Sequence, residues 1–151
     1  MNWFSSVGDA LGVFMDWFFQ IGSTYRIYGP GSDQVNDLQS SPGVTELLRY
    51  YCEKKKKCGA STYVTHFDFD FEKHGGPFLA GVNPTQQLVG SFSANAYTGA
   101  GNDVLIEIYN TTSMQSFLFD RGPEYERTLF SFGGNLKEKY WWYQFVDCSK
   151  F

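Results

Sequence analysis

Two periodicities divide the chain. From Asn2 to Ile21 apolar residues recur at helical spacing: Trp3, Val7, Ala10, Phe14, Trp17 and Ile21 share one side, and Phe4, Leu11, Met15 and Phe18 widen it. Ser5, Asp9, Gly12 and Asp16 mark a narrow polar stripe, so the spacing predicts an amphipathic helix ended by Gly22. From Ser61 onward the period falls to two. Alternating runs at Ser61–Glu72, Leu88–Tyr97, Val104–Tyr109, Met114–Phe119, Arg127–Phe132 and Lys137–Val146 predict strands, and Thr98–Asp103 and Gly133–Asn135 carry turn chemistry between them. The stretch Gln87–Phe119 therefore reads as three adjacent strands, with Leu105 and Glu107 on the face opposite Val104, Ile106 and Ile108. Asn110-Thr111-Thr112 reads as a turn between the second and third of them.

Between the two regimes, residues 23–43 are rich in Gly, Pro, Ser and Asp and read as a loop or linker, anchored by Tyr25, Ile27 and Tyr28, with a short helical turn at Val35–Leu38. After Ser41-Pro42 the segment from Val44 reads as a helix, capped by serine, with Glu46 early, lysines late and Gly59 as the stop. The expected fold class is α+β. It comprises an antiparallel β-sheet of about six strands, closed as a sandwich or partly open barrel, with the N-terminal amphipathic helix and a second helix near residues 44–57. The expected organisation is an amphipathic helix at 1–22, a loop or linker at 23–43 and one α+β domain at 44–151.

Length and composition agree with a packed domain: 151 residues suffice to bury roughly 70% of the unfolded surface, and aromatic residues reach 19%. A net charge of −4 and a pI near 5.1 argue against a nucleic-acid partner, because phosphate neutralisation wants a basic face, and Lys54–Lys57 is the only basic run. Of the three cysteines, Cys52 and Cys58 would close a small loop in an oxidising compartment, whereas free thiols suit a reducing cytoplasm. Their spacing matches no common zinc site. The first helix is long enough to reach across a bilayer, but Asp9 and Asp16 oppose a stable span, and the polar stripe lacks the Lys and Arg that anionic lipid attracts. Docking of residues 3–21 on the sheet, on a partner chain or on a membrane surface are the alternatives. A phosphate-binding glycine loop, a serine-hydrolase elbow and a zincin motif are all missing from the sequence, and no cofactor is assigned.

Two groups of residues carry candidate chemistry. Strict alternation over Ser61–Glu72 puts Tyr63, Thr65, Phe67, Phe69 and Phe71 on one face and His66, Asp68, Asp70 and Glu72 on the other. Carboxylates two residues apart lie about 6.5–7 Å apart along a strand, a spacing suited to a hard cation or to an acid–base pair, and His66 adds an imidazole. The bland alternative is a solvated outer face whose like charges discourage edge pairing. In the last strand Tyr140, Trp142, Gln144 and Val146 alternate with Lys139, Trp141, Tyr143 and Phe145, which predicts a central or covered strand. Trp141, Trp142 and Tyr143 could form a ring-stacking or cation–π site for a sugar, or serve as core and rim.

The landmarks Tyr28-Gly-Pro-Gly-Ser32, Ser41-Pro-Gly-Val44, Asn83-Pro-Thr-Gln-Gln-Leu-Val-Gly-Ser91, Asn110-Thr-Thr-Ser-Met-Gln-Ser-Phe-Leu118, Glu126-Arg127 and Gly134-Asn135 through Tyr140-Trp141 resemble the C-terminal domains of bacterial RHS-repeat and related polymorphic-toxin proteins of Bacteroidetes type. The resemblance covers the chain from about Arg26 onward, rests on turn and strand residues, and includes no repeat array or autocleavage signature. It implies a toxin effector module in interbacterial competition, made in the bacterial cytoplasm and secreted or delivered into a target cell. The implied partners are an immunity protein and an RHS shell or secretion apparatus. As an enzyme, such a module would use His66, Asp68, Asp70 and Glu72, with Glu126 and Arg127 brought across, against a cell-wall or small-molecule target. As a binding or membrane-perturbing β-rich module it would use Phe14, Trp17 and Phe18 on the helix and Trp141, Trp142 and Tyr143 on the last strand.

Overall fold

The computed structural model describes Gly12, residues 25–70, Lys73, Val89, and residues 91–112 and 136–151. In chain order these form β1 (Tyr25–Tyr28), α1 (Asp33–Gln39), α2 (Pro42–Cys58), β2 (Tyr63–Phe69), β3 (Phe92–Thr98), β4 (Asp103–Thr112) and β5 (Leu136–Phe145), with short 3-10 turns at Gly59–Ser61 and Cys148–Lys150. The five strands make one sheet in the order β1-β5-β4-β3-β2. The α+β class holds, but the sheet is mixed rather than antiparallel, because β1 runs parallel to β5 while the other pairs are antiparallel. Side-chain alternation carries no strand direction, and β1 falls in the stretch expected to be loop. Among the described residues the sheet is a single layer, not the sandwich or barrel of about six strands that was expected. The helix expected at residues 2–21 lies outside the described residues apart from Gly12, which is helical and exposed. The strands expected at Met114–Phe119 and Arg127–Phe132 also lie outside them.

Helix starts and stops follow the local chemistry. Ser32 Oγ accepts from the Val35 amide and Ser41 Oγ from the Val44 amide, each at 3.3 Å, and Pro42 occupies the first turn where no amide is missed. Gly59, at φ 77°, closes α2 by donating its amide to the Lys55 carbonyl. Both helices lie on one face of the sheet. Val35, Leu38, Val44, Leu47 and Tyr51 are buried there with Val64, Ala96, Val104, Ile106, Ile108, Tyr140 and Trp142. The alanines of β3 let α2 approach closely, and Gly43 touches the same strand system: a Cβ at that position would stand 2.6 Å from the Phe92 ring. Tyr51 Oη and Thr98 Oγ1 are 2.6 Å apart, and Thr98 Oγ1 in turn donates to the Thr62 carbonyl at 2.7 Å, linking helix, β3 and the entry to β2.

Three further departures matter for the site. The alternation of β2 is broken by a bulge between Val64 and Phe67, where His66 takes φ 55°, so Val64, Phe67 and Phe69 face the core and Tyr63 falls on the opposite face, not with the phenylalanines. β4 does not turn at Asn110; it runs through Thr112, paired with β5 down to Leu136. Finally, Cys52 of α2 is joined to Cys148 beyond β5, with Cα atoms 5.3 Å apart and a sequence separation of 96, and Cys58 is the free, exposed thiol. The bridge therefore skips the nearby Cys58, because the chain end returns to α2: Lys56 Nζ donates to the Phe151 carbonyl at 3.1 Å, and the Val146 amide bonds Asn102 at 3.0 Å.

Candidate functional site

The helices cover one face of the sheet, and the other carries most of the exposed large apolar side chains. Register fixes how they line up. Tyr63 pairs with Tyr97, Tyr97 with Leu105 and Leu105 with Tyr143, which makes one row across β2, β3, β4 and β5. Tyr63 and Tyr143 are 62% and 59% exposed. The next row along the strands is Asn95, Glu107 and Trp141, and the one after it Asp68, Ser93, Tyr109, Lys139 and Ile27. Trp141 lies against Gly29, where an added Cβ would be 3.4 Å from its indole nitrogen.

Glu107 is the hub of this face. Lys139 Nζ donates to its Oε1 at 2.6 Å and Tyr109 Oη to its Oε2 at 3.0 Å, with the Lys139 ammonium 5.2 Å from the Tyr109 ring centre. Asn95 also bonds Glu107, while its own Oδ1 accepts the backbone amide of His66 at 3.1 Å. The β2 bulge is thereby wired into the centre of the sheet. Partial burial pushes the Glu107 carboxyl up, but hydrogen bonds from Lys139, Tyr109 and Asn95, with the lysine charge, outweigh it and hold the group below its ordinary value. Lys139 is raised, chiefly by its bond to Glu107. A carboxylate held low and an ammonium held high are both fully ionised near neutrality, so the pair is poorly matched to proton transfer and well matched to fixing polar groups of a ligand.

Of the acidic strand face predicted for catalysis, the described residues do not converge on one site. His66 sits in the bulge with an exposed side chain, Asp68 accepts from Ser93 Oγ at 2.5 Å on the outer face, and Asp70 lies past the end of β2, bridged to Lys73 at 2.9 Å. Glu72, Glu126 and Arg127 lie outside the described residues, as do Phe14, Trp17 and Phe18. Among the described residues no group of three or more His, Cys, Asp or Glu side chains is placed to hold a metal ion, and no helix is long and apolar enough to cross a membrane. Trp141 and Tyr143 share the outer face, but Trp142 is 1% exposed in the core, its indole donating to Gln144 at 3.0 Å, so the three do not form one aromatic site.

Alternation had placed Glu107 with Leu105, and Lys139 with Trp141 and Tyr143. Missing from it were Asn95, Tyr97 and Tyr109, whose roles depend on the register that brings β3, β4 and β5 together. The covered face has its own polar group: Glu138, 2% exposed, accepts from Asn110 Nδ2 at 3.0 Å beside Tyr140, whose hydroxyl is pushed well up, first by burial and then by the Glu138 charge. Tyr28 stacks on Tyr140 with ring centres 5.0 Å apart. That group ties β1, β4 and β5 together beneath the helices.

Fold and site together define an α+β sheet with one helix-covered face and one exposed aromatic face centred on an ion pair. The chain matches no protein-family model, no curated protein and no solved structure.

Proposed function

We propose that the chain is an effector module of a bacterial polymorphic-toxin system of RHS type, acting in competition between bacteria by binding a target through the outer face of its sheet. A cognate immunity protein protects the producer. The observation that carries the binding mode is the Glu107–Lys139 ion pair, ionised near neutrality, hydrogen-bonded by the Tyr109 hydroxyl and set among exposed aromatic side chains. The landmark segments from Tyr28 to Trp141 support the biological setting. The Cys52–Cys148 bridge supports work in an oxidising compartment, after synthesis in the cytoplasm.

The test is growth of a susceptible bacterium expressing the whole chain with and without an export signal. Export is expected to arrest growth, and Glu107→Gln or Tyr143→Ala to relieve the arrest. Asp68→Ala combined with Asp70→Ala is expected to leave it in place. A chain inert in both compartments removes the effector reading, and loss of arrest in the Asp68/Asp70 variant alone would return the activity to the acidic strand.

A further inference from the structure

We infer that the row Tyr63–Tyr97–Leu105–Tyr143, with the Asn95–Glu107 centre beside it, is a binding site for a neutral glycan strand; this rests on the proposal that the outer face is the working surface. A sugar presents two chemistries at once: C–H faces that stack on aromatic rings, and hydroxyls that need both donors and acceptors. The outer face offers them in adjacent rows, tyrosine rings in one and a carboxylate and an amide in the next, with the Lys139 ammonium reaching Glu107 from the row after. Strands about 4.8 Å apart spread the tyrosine row over about 14 Å, the reach of a short oligosaccharide lying across the strands. A flat platform suits an extended chain better than a compact metabolite.

Charge narrows the ligand class. Glu107 and Lys139 neutralise each other at 2.6 Å, so the centre gives neither an anion nor a cation an uncompensated partner. A nucleic acid or anionic lipid would need free cations there. An apolar peptide would strip water from the ion pair and return no hydrogen bonds, whereas hydroxyls replace that water.

The test is NMR titration of the whole oxidised chain with two neutral probes, an N-acetylglucosamine trimer and maltotriose, and one anionic probe, a galacturonate trimer. Saturable shifts at outer-face residues of β3, β4 and β5 are expected with a neutral trimer. Tyr143→Ala and Tyr97→Ala should each weaken binding about tenfold or more, while Tyr50→Ala, on the exposed side of α2, should not. Because Tyr143 is exposed, its truncation leaves the core intact, which the spectrum of the variant checks directly. The inference is overturned if neither neutral trimer saturates at about 10 mM, if the galacturonate binds more tightly, or if face variants bind like the parent. The growth assay is independent: sugar binding without arrest removes the effector reading alone, and arrest without sugar binding removes the glycan alone.

Discussion

Opening the Cys52–Cys148 bridge should cost this domain a large share of its stability. The bridge closes a loop spanning 96 residues, from the middle of α2 to the turn after β5. On the chain-entropy account, cross-linking a loop of this size restricts the unfolded ensemble by about 4–5 kcal/mol, and native disulfides removed from small domains typically cost about 2–5 kcal/mol. Against a total of about 5–15 kcal/mol for a domain, that is the difference between a robust fold and a marginal one. Local contacts offset little of the loss: Lys56 to the Phe151 carbonyl is exposed, and Val146 is the one buried apolar side chain beyond β5. Urea unfolding followed by tryptophan fluorescence gives the number. With an m-value of about 2 kcal/mol/M, reductant should lower the midpoint by about 1–2.5 M. Cys52→Ala combined with Cys148→Ser should sit at the reduced midpoint whether or not reductant is present, and Cys58→Ser should match the oxidised parent. Equal midpoints for oxidised and reduced parent would refute the argument, as would peptide mapping that pairs Cys52 with Cys58.

Gly43→Ala should destabilise although it improves helix propensity: the new Cβ meets Phe92 at 2.6 and 2.7 Å and Phe69 at 2.9 Å, and overpacking of about 1–3 kcal/mol exceeds a propensity gain of at most about 1 kcal/mol. A raised urea midpoint would show that the helix has room there. His66→Gly should be neutral or stabilising by up to about 1 kcal/mol, because φ 55° disfavours a side chain, while His66→Val should be clearly worse; the reverse order in urea would contradict the bulge geometry. Glu107, with a folded pKa held below its ordinary 4.5, adds stability that is present above that value and lost as pH falls through the folded one. Lys139, raised above 10.5, adds stability that is present below that value and lost as pH rises through the folded one. Glu107→Gln should therefore flatten both the acid and the alkaline limbs of a melting-temperature profile, and an unchanged acid limb would remove the pair from the stability account.

Local chemistry alone determined much of the scaffold. Ser41-Pro42 and Gly59 set α2 to within two residues, and Thr98–Asp103 made the β3–β4 turn, because caps and turns depend on backbone groups a few residues away. Two-residue alternation also put Glu107 beside Leu105 and Lys139 beside Trp141 and Tyr143. Partners distant in sequence were another matter. Pairing β4 with β5 brought Lys139 against Glu107 and Tyr109, the bulge at His66 moved Tyr63 to the outer face, and the returning chain end chose Cys148 over Cys58 for Cys52. A residue's face follows from its own strand, but its neighbours across the sheet follow from register, direction and chain return, which only packing of the whole chain decides.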